Sequence, residues 1–168
     1  EKIKPKCQII CINAAFGEFP GLAGIMFPIF AKIIAVLPYS SDILASLSRN
    51  NERTEKLIAN TGSQITNDRL GYYKILFSEP DHVKGTLKLM AEWDLSEFLR
   101  HLKNSDANIN FLVGTLDKTV PISISKKWSK ILTKSNYKEI QGAGHLVHEE
   151  MPHEVSQSIL EQLKAPQP

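Results

Sequence analysis

The short runs Gln8–Ile12, Ile109–Val113 and Tyr137–Ile140 predict strands, the first of them apolar enough to be buried on both faces. Between the first and second strands the pattern turns helical. Leu22–Leu37 is the most apolar stretch, interrupted by Pro28 and ended by Pro38, and predicts one kinked helix or two short ones. Asp42–Ser48 predicts a short helical turn. Asn50 or Asn51 caps a helix over Glu52–Asn60, with Leu57 and Ile58 inward and Gly62 stopping it. Asn67 or Asp68 opens the next, through Phe77. Leu70, Tyr73 and Phe77 share one face there, widened by Ile75 and Leu76. Pro80 fits the first turn of a helix over Asp81–Glu92, with Val83, Leu87 and Met90 as its apolar stripe and Gly85 as a weak point or a place of close packing. Asp94 with Glu97 forms the pattern of a capping box for Leu95–Leu102.

After Ile109 the alternation is strand, helix, strand, helix. Ser123–Thr133 places Ile124, Trp128 and Ile131 or Leu132 inward, and Pro152 opens a last helix with Val155, Ile159 and Leu163 in a stripe. Strands alternating with helices over short connections predict an α/β fold with a parallel sheet. Right-handed crossovers then bring the loops after the strands to one edge, the carboxyl ends. Three loops meet there: Asn13–Pro20, the loop holding Asp117 and the loop holding His145. The expected organisation is residues 1–16 as core strand and exit loop, 17–93 as a helical cap, and 94–168 as the rest of the core.

Composition changes this picture little. Lys and Arg number 20 against 18 Asp and Glu, a net of +2, which makes no case for nucleic acid as a partner. Leu22–Leu37 contains Lys32 and falls short of the roughly 20 apolar residues of a spanning helix. Cys7 and Cys11 lie in or beside a strand, without a second pair or a nearby histidine, and read as plain thiols. That fits a reducing, cytoplasmic setting, with membrane association left open by the apolar stretch.

The chemistry sits in two segments, GTLDKTVP and GAGHLVHEEMP. Gly114 lets the chain leave the strand sharply before Asp117. Gly142-Ala143-Gly144 is a side-chain-poor loop that presents His145. A carboxylate bonded to one ring nitrogen fixes the tautomer and stabilises the imidazolium, leaving the other nitrogen as a general base. His148 with Glu149 and Glu150 has two histidines and carboxylates close in sequence, but not the H-E-x-x-H spacing of a zinc helix. No metal and no cofactor is expected; Glu149 or Glu150 reads as a contact to neighbouring structure.

These two segments resemble the acid and base motifs of the α/β-hydrolase fold, in which nucleophile, acid and histidine follow one another along the chain. The resemblance implies Asp117 as the acid, His145 as the base, and 17–93 as the inserted helical cap. INAAFGEFPGLAG, IANTGSQITNDRLGYY and HVKGTLKLMAEWDLSEFLRHL are similar to the cap and cap-exit sequences of the magnesium-chelatase accessory proteins of bacteriochlorophyll synthesis. What this implies is a role beside the enzyme that inserts magnesium into protoporphyrin. The implied partners are an apolar small molecule such as a porphyrin, magnesium chelatase subunits, and the N-terminal half of the same fold.

No G-x-S-x-G occurs in the chain, and Gly62-Ser63 has no glycine after Gln64 and follows no strand. The expectation is therefore the C-terminal part of a hydrolase sheet, with nucleophile and oxyanion donors upstream of Glu1 and no covalent acyl transfer by these residues alone. Phe16, Phe27, Tyr73 and Trp93 are the candidates to line an apolar substrate pocket, Phe16 first because it lies at the exit from strand to cap. Two other readings stand beside this one: a general esterase or lipase-like serine hydrolase, and a non-catalytic porphyrin-binding or chelatase scaffolding protein.

Overall fold

The structure is a computed structural model and describes residues 8–17, 32–34, 36–105 and 107–164. They fall into two compact units. The first holds residues up to Gly17, the segment Asn60–Gln64, and the chain from Leu95 onward; the second holds the helical residues up to Ala59 and Ile65–Asp94. The short Asn60–Gln64 segment, inside the stretch expected as cap, thus belongs to the sheet unit. Cys7, Phe27 and most of Leu22–Leu37 lie outside the described residues.

Among the described residues, the sheet unit is built on three parallel strands in the order β1 (Gln8–Ile12), β2 (Asn108–Gly114) and β3 (Ser135–Ile140). Ile12 lies opposite Leu112, and Gly114 opposite Ile140, so all three strands end at the same edge. The central strand is apolar from Ile109 to Val113 except for Asn110, whose Oδ1 accepts from Asn136 Nδ2 at 2.8 Å. Its side chains alternate between two cores. Ile109, Phe111 and Val113 join Cys11, Phe16, Leu102, Trp128 and Leu132 on one face, under the helices Ser96–Leu102 and Ile122–Ile131. Leu112 joins Ile140, Ala143, Val147 and Val155 on the other, with the helices Val147–Glu150 and Pro152–Lys164. Deleting a ring buried as completely as that of Phe111 costs about 3–5 kcal/mol.

The helical unit contains Ser40–Ser48, Asn51–Asn60 up to Ala59, Asn67–Ser78 and Pro80–Ala91. Asn50 caps the second of these, its Oδ1 accepting the Glu52 N–H at 2.9 Å. Pro80 stands in the first turn of the last, where its missing N–H costs nothing. Ser40–Ser48 packs on Asn67–Ser78 and on Pro80–Ala91. Among the described residues of this unit, Ala45, Thr54, Ile58 and Leu70 are buried.

Several stripes differ from expectation. Thr54, not Leu57, is buried beside Ile58, because its hydroxyl finds the Ser48 carbonyl at 3.1 Å. Ile75, Leu76, Met90 and Leu163 are exposed, and so is Ile131, while Leu132 takes the inward place. The helix expected from Leu95 starts at Ser96, with Leu95 at its cap position. Among the described residues, no helix is long and apolar enough to cross a membrane.

Candidate acid–base site

The edge at which the strands end gathers the chemistry. Gly114 closes β2 with the backbone of Ala143 and Gly144 so near that a Cβ would overlap both carbonyl oxygens. The chain then turns through Thr115 and Leu116, whose N–H groups donate to the carbonyls of Ile140 at 3.1 Å and Ala143 at 2.8 Å. Thr115 Oγ1 accepts the Gly142 N–H at 3.0 Å, and Gly142 takes a φ of 78°. The acid loop and the histidine loop are therefore laced together before either functional side chain is placed.

Asp117 follows, its side chain wholly buried. One carboxylate oxygen, Oδ1, accepts the N–H groups of Thr119 at 2.8 Å and Val120 at 2.9 Å, the geometry of a short polar residue folding the chain back on itself. The other, Oδ2, lies 2.9 Å from His145 Nδ1. A buried carboxylate is tolerated because these partners replace water. Facing an ionised carboxylate, which only accepts, the ring donates from Nδ1 in the tautomer that leaves Nε2 with a free lone pair. The ring is 29% exposed, enough to reach a reacting group. The structure thus brings Asp117 and His145 together.

The remaining sequence candidates fare differently. Phe16 is placed in the core rather than on a pocket wall. Its ring meets Phe111 edge-on at 5.5 Å, stacks on Phe98 at 6.1 Å and lies 6.2 Å from Trp128, whose indole N–H donates to the Phe16 carbonyl. The apolar exit loop is drawn into the sheet unit by this aromatic cluster. Tyr73 is half-buried in the helical unit, its ring 5.9 Å from Phe77, and Trp93 is exposed. Among the described residues, no group of three or more His, Cys, Asp or Glu is arranged to hold a metal.

Two residues, Asn13 and Ser63, escape a reading of the sequence, and a third, Glu150, makes contacts to neighbouring structure of the kind expected of Glu149 or Glu150. Asn13 holds Gly114, Gly144 and His145 by side-chain hydrogen bonds. Ser63 Oγ accepts the Leu146 N–H at 2.8 Å. Glu150 bridges, with Oε2 accepting the Gly144 N–H at 2.9 Å and Oε1 the Gln64 N–H at 2.8 Å. Lys118 N–H donates to the Thr61 carbonyl at 3.0 Å. The Asn60–Gln64 segment thereby touches the acid loop and the histidine loop. Its Gly-Ser pair is a brace for the histidine loop. The sequence signal was Gly62 itself, which takes a φ of 85° with the Leu116 carbonyl against it, a turn more exacting than a helix stop.

No protein-family model matches the chain. Solved structures do. An α/β hydrolase from a Medee basin deep-sea metagenome library superposes with a TM-score of 0.67 at 14% identity, over 96% of this chain and 57% of that one. An α/β-hydrolase fold protein from Burkholderia ambifaria gives 0.66 at 14%, over 92% and 56%. The chain has the α/β-hydrolase fold. A thermophilic esterase from Thermogutta terrifontis agrees, at 0.63 and 19% identity over 92% of the chain and 54% of the esterase. Sequence adds a narrower link. The chain is 32% identical over 160 residues to the magnesium-chelatase 30 kDa subunit of Rhodobacter capsulatus, covering 95% of this chain, and is homologous to it. It spans 56% of that relative's length.

Proposed function

We propose that Asp117 and His145 are the acid and base of a hydrolase triad, in a protein that works beside magnesium insertion into protoporphyrin. The observation that carries the first half is the 2.9 Å bond from the His145 ring to a carboxylate with no solvent exposure. The second half rests on likeness to the magnesium-chelatase subunit, and chelatase subunits are the partners it implies.

The chemistry divides between what these residues supply and what they lack. His145 Nε2 takes the proton of a nucleophile's O–H as its oxygen attacks a carbonyl carbon. Asp117 stabilises the imidazolium that results, and the imidazolium returns the proton to the leaving group. The nucleophile and the oxyanion donors come from outside these 168 residues, which contain no G-x-S-x-G and span little more than half of the relative. The substrate is an apolar molecule of the porphyrin class.

The test uses the protein carrying both halves of the fold. Protoporphyrin fluorescence is titrated with wild type and His145→Ala, and hydrolysis of a short-chain p-nitrophenyl ester is followed in parallel. Saturable quenching in both proteins, with hydrolysis lost in His145→Ala, is the expected result. Quenching with no His145-dependent turnover overturns the catalytic half and leaves a porphyrin carrier. Ester hydrolysis without porphyrin affinity overturns the second half and leaves a general esterase.

A further inference from the structure

Asn13 is the first residue after β1, and it is 4% exposed. Its φ of 44° lies in the left-handed region, which asparagine tolerates better than most side chains. Its own N–H donates to the Leu112 carbonyl at 3.0 Å, prolonging the β1–β2 ladder by one step. The carboxamide then reaches over the sheet edge. Oδ1 accepts the Gly114 N–H at 2.8 Å. Nδ2 donates to the Gly144 carbonyl at 2.9 Å and to the His145 carbonyl at 2.6 Å. Both amide protons are committed, and one side chain from the edge strand ties the end of β2 to the loop after β3.

The groups it holds are not arbitrary. One is the carbonyl of His145 itself. Another is the N–H of Gly114, whose carbonyl accepts the Asp117 N–H at 3.3 Å. We infer that Asn13 is a positioning residue for the His145–Asp117 pair, acting through the backbone of both loops and touching neither reacting ring nitrogen nor substrate. The inference rests on the acid–base reading of that pair. A side chain that merely satisfied strand-end polar groups would, on removal, weaken the whole sheet unit evenly. A positioning residue releases the imidazole while the core beneath it stays as it was.

The experiment is NMR on the intact chain with labelled histidine and tryptophan. In wild type the His145 Nδ1 proton, bonded to a buried carboxylate, gives a downfield resonance that Asp117→Asn removes. Asn13→Gly keeps the left-handed backbone at no steric cost and deletes the carboxamide. Asn13→Asp keeps the acceptor for Gly114 but sets a carboxylate oxygen against two carbonyl oxygens. Both are expected to speed solvent exchange of the His145 Nδ1 proton by about tenfold or more, the scale of one to two lost hydrogen bonds. The Trp128 indole resonance, reporting the core, is expected to stay in place. An unchanged His145 exchange rate in either folded variant overturns the proposal. Should neither variant fold, wild type still decides: a through-hydrogen-bond coupling between the Asn13 amide nitrogen and the His145 carbonyl carbon is expected, and its absence overturns the proposal. A His145 resonance that survives Asp117→Asn strikes the acid–base reading instead, a result obtained without touching Asn13.

Discussion

Gly144 lies flush against Gly62, so that a Cβ on Gly144 would overlap the Gly62 carbonyl and the Ser63 nitrogen. The contact joins the histidine loop to the short segment that crosses from the helical residues into the sheet unit. Backbone stands on both sides, so no flexible side chain can give way. Gly144→Ala is therefore expected to cost about 1–3 kcal/mol, the ordinary range for overpacking. Gly62→Ala adds the penalty of a φ of 85° and is expected to cost at least as much. Gly85 is the contrast: it stands inside the helix Pro80–Ala91 with no described atom within 4 Å of where a methyl group would stand, so Gly85→Ala is expected to stabilise by about 0.5–1 kcal/mol. Urea unfolding midpoints check all three.

Ser63 and Glu150 make the second expectation. Ser63 is 3% exposed, and Ser63→Ala leaves the Leu146 N–H without its acceptor, at about 1–3 kcal/mol. Glu150→Gln keeps one acceptor oxygen where two are used, so either Gly144 or Gln64 loses its partner. Amide exchange at Leu146 is expected to rise in the first variant and at Gly144 or Gln64 in the second. Unchanged exchange at these sites contradicts the brace.

How much of this was legible in the sequence depends on how local each cause is. β2 and the loops carrying Asp117 and His145 announce themselves, because burial on two faces and turns beside glycine leave a mark within a few residues; β1 forms where its sequence places it, but only Cys11 of it is buried and Ile9 is exposed, against the expected burial on both faces. Their convergence follows from the handedness of the crossovers. Asn13, Ser63 and Glu150 act by one to three hydrogen bonds to backbone, each reaching a group over 80 residues away. Such bonds have no periodicity, and a lone Asn or Ser at an element's end looks like any turn residue. Leu57, exposed, and Phe16, packed into the core, are hard to place for a different reason. An apolar residue on a short helix or exit loop fits a core, a pocket or a surface equally well, and only packing decides.

Asp117→Asn tests the tautomer. The Oδ1 side faces two N–H donors, so an amide keeps its oxygen there and turns its NH₂ toward His145 Nδ1. The ring must then accept at Nδ1 and carry its proton on Nε2, which removes the free lone pair. Hydrolysis is expected to fall by about 10⁴-fold, as when a triad histidine is held in the wrong tautomer. Nitrogen chemical shifts of the His145 ring check the exchange of roles directly.

Cys11 supplies a pH expectation. Burial pushes its thiol up from 9.0 to about 11. Above pH 9.0 the unfolded chain releases this proton and the folded chain does not, so the unfolded state binds fewer protons and stability falls as pH rises. The contribution is complete below pH 9.0 and lost by about pH 11. The difference in urea midpoint between wild type and Cys11→Ala is expected to be constant below that window and to shrink across it. A difference that grows with pH contradicts the assignment.

The central claim is that His145, oriented by Asp117, activates a nucleophile carried elsewhere in the same fold. Its most direct test is labelling of the protein containing both halves by a serine-directed fluorophosphonate, read on a gel and by mass. The account predicts one labelled serine outside residues 1–168, with labelling abolished by His145→Ala and strongly reduced by Asp117→Asn. Labelling that proceeds at the wild-type rate in folded His145→Ala, or no labelling of the wild-type protein at all, would contradict it.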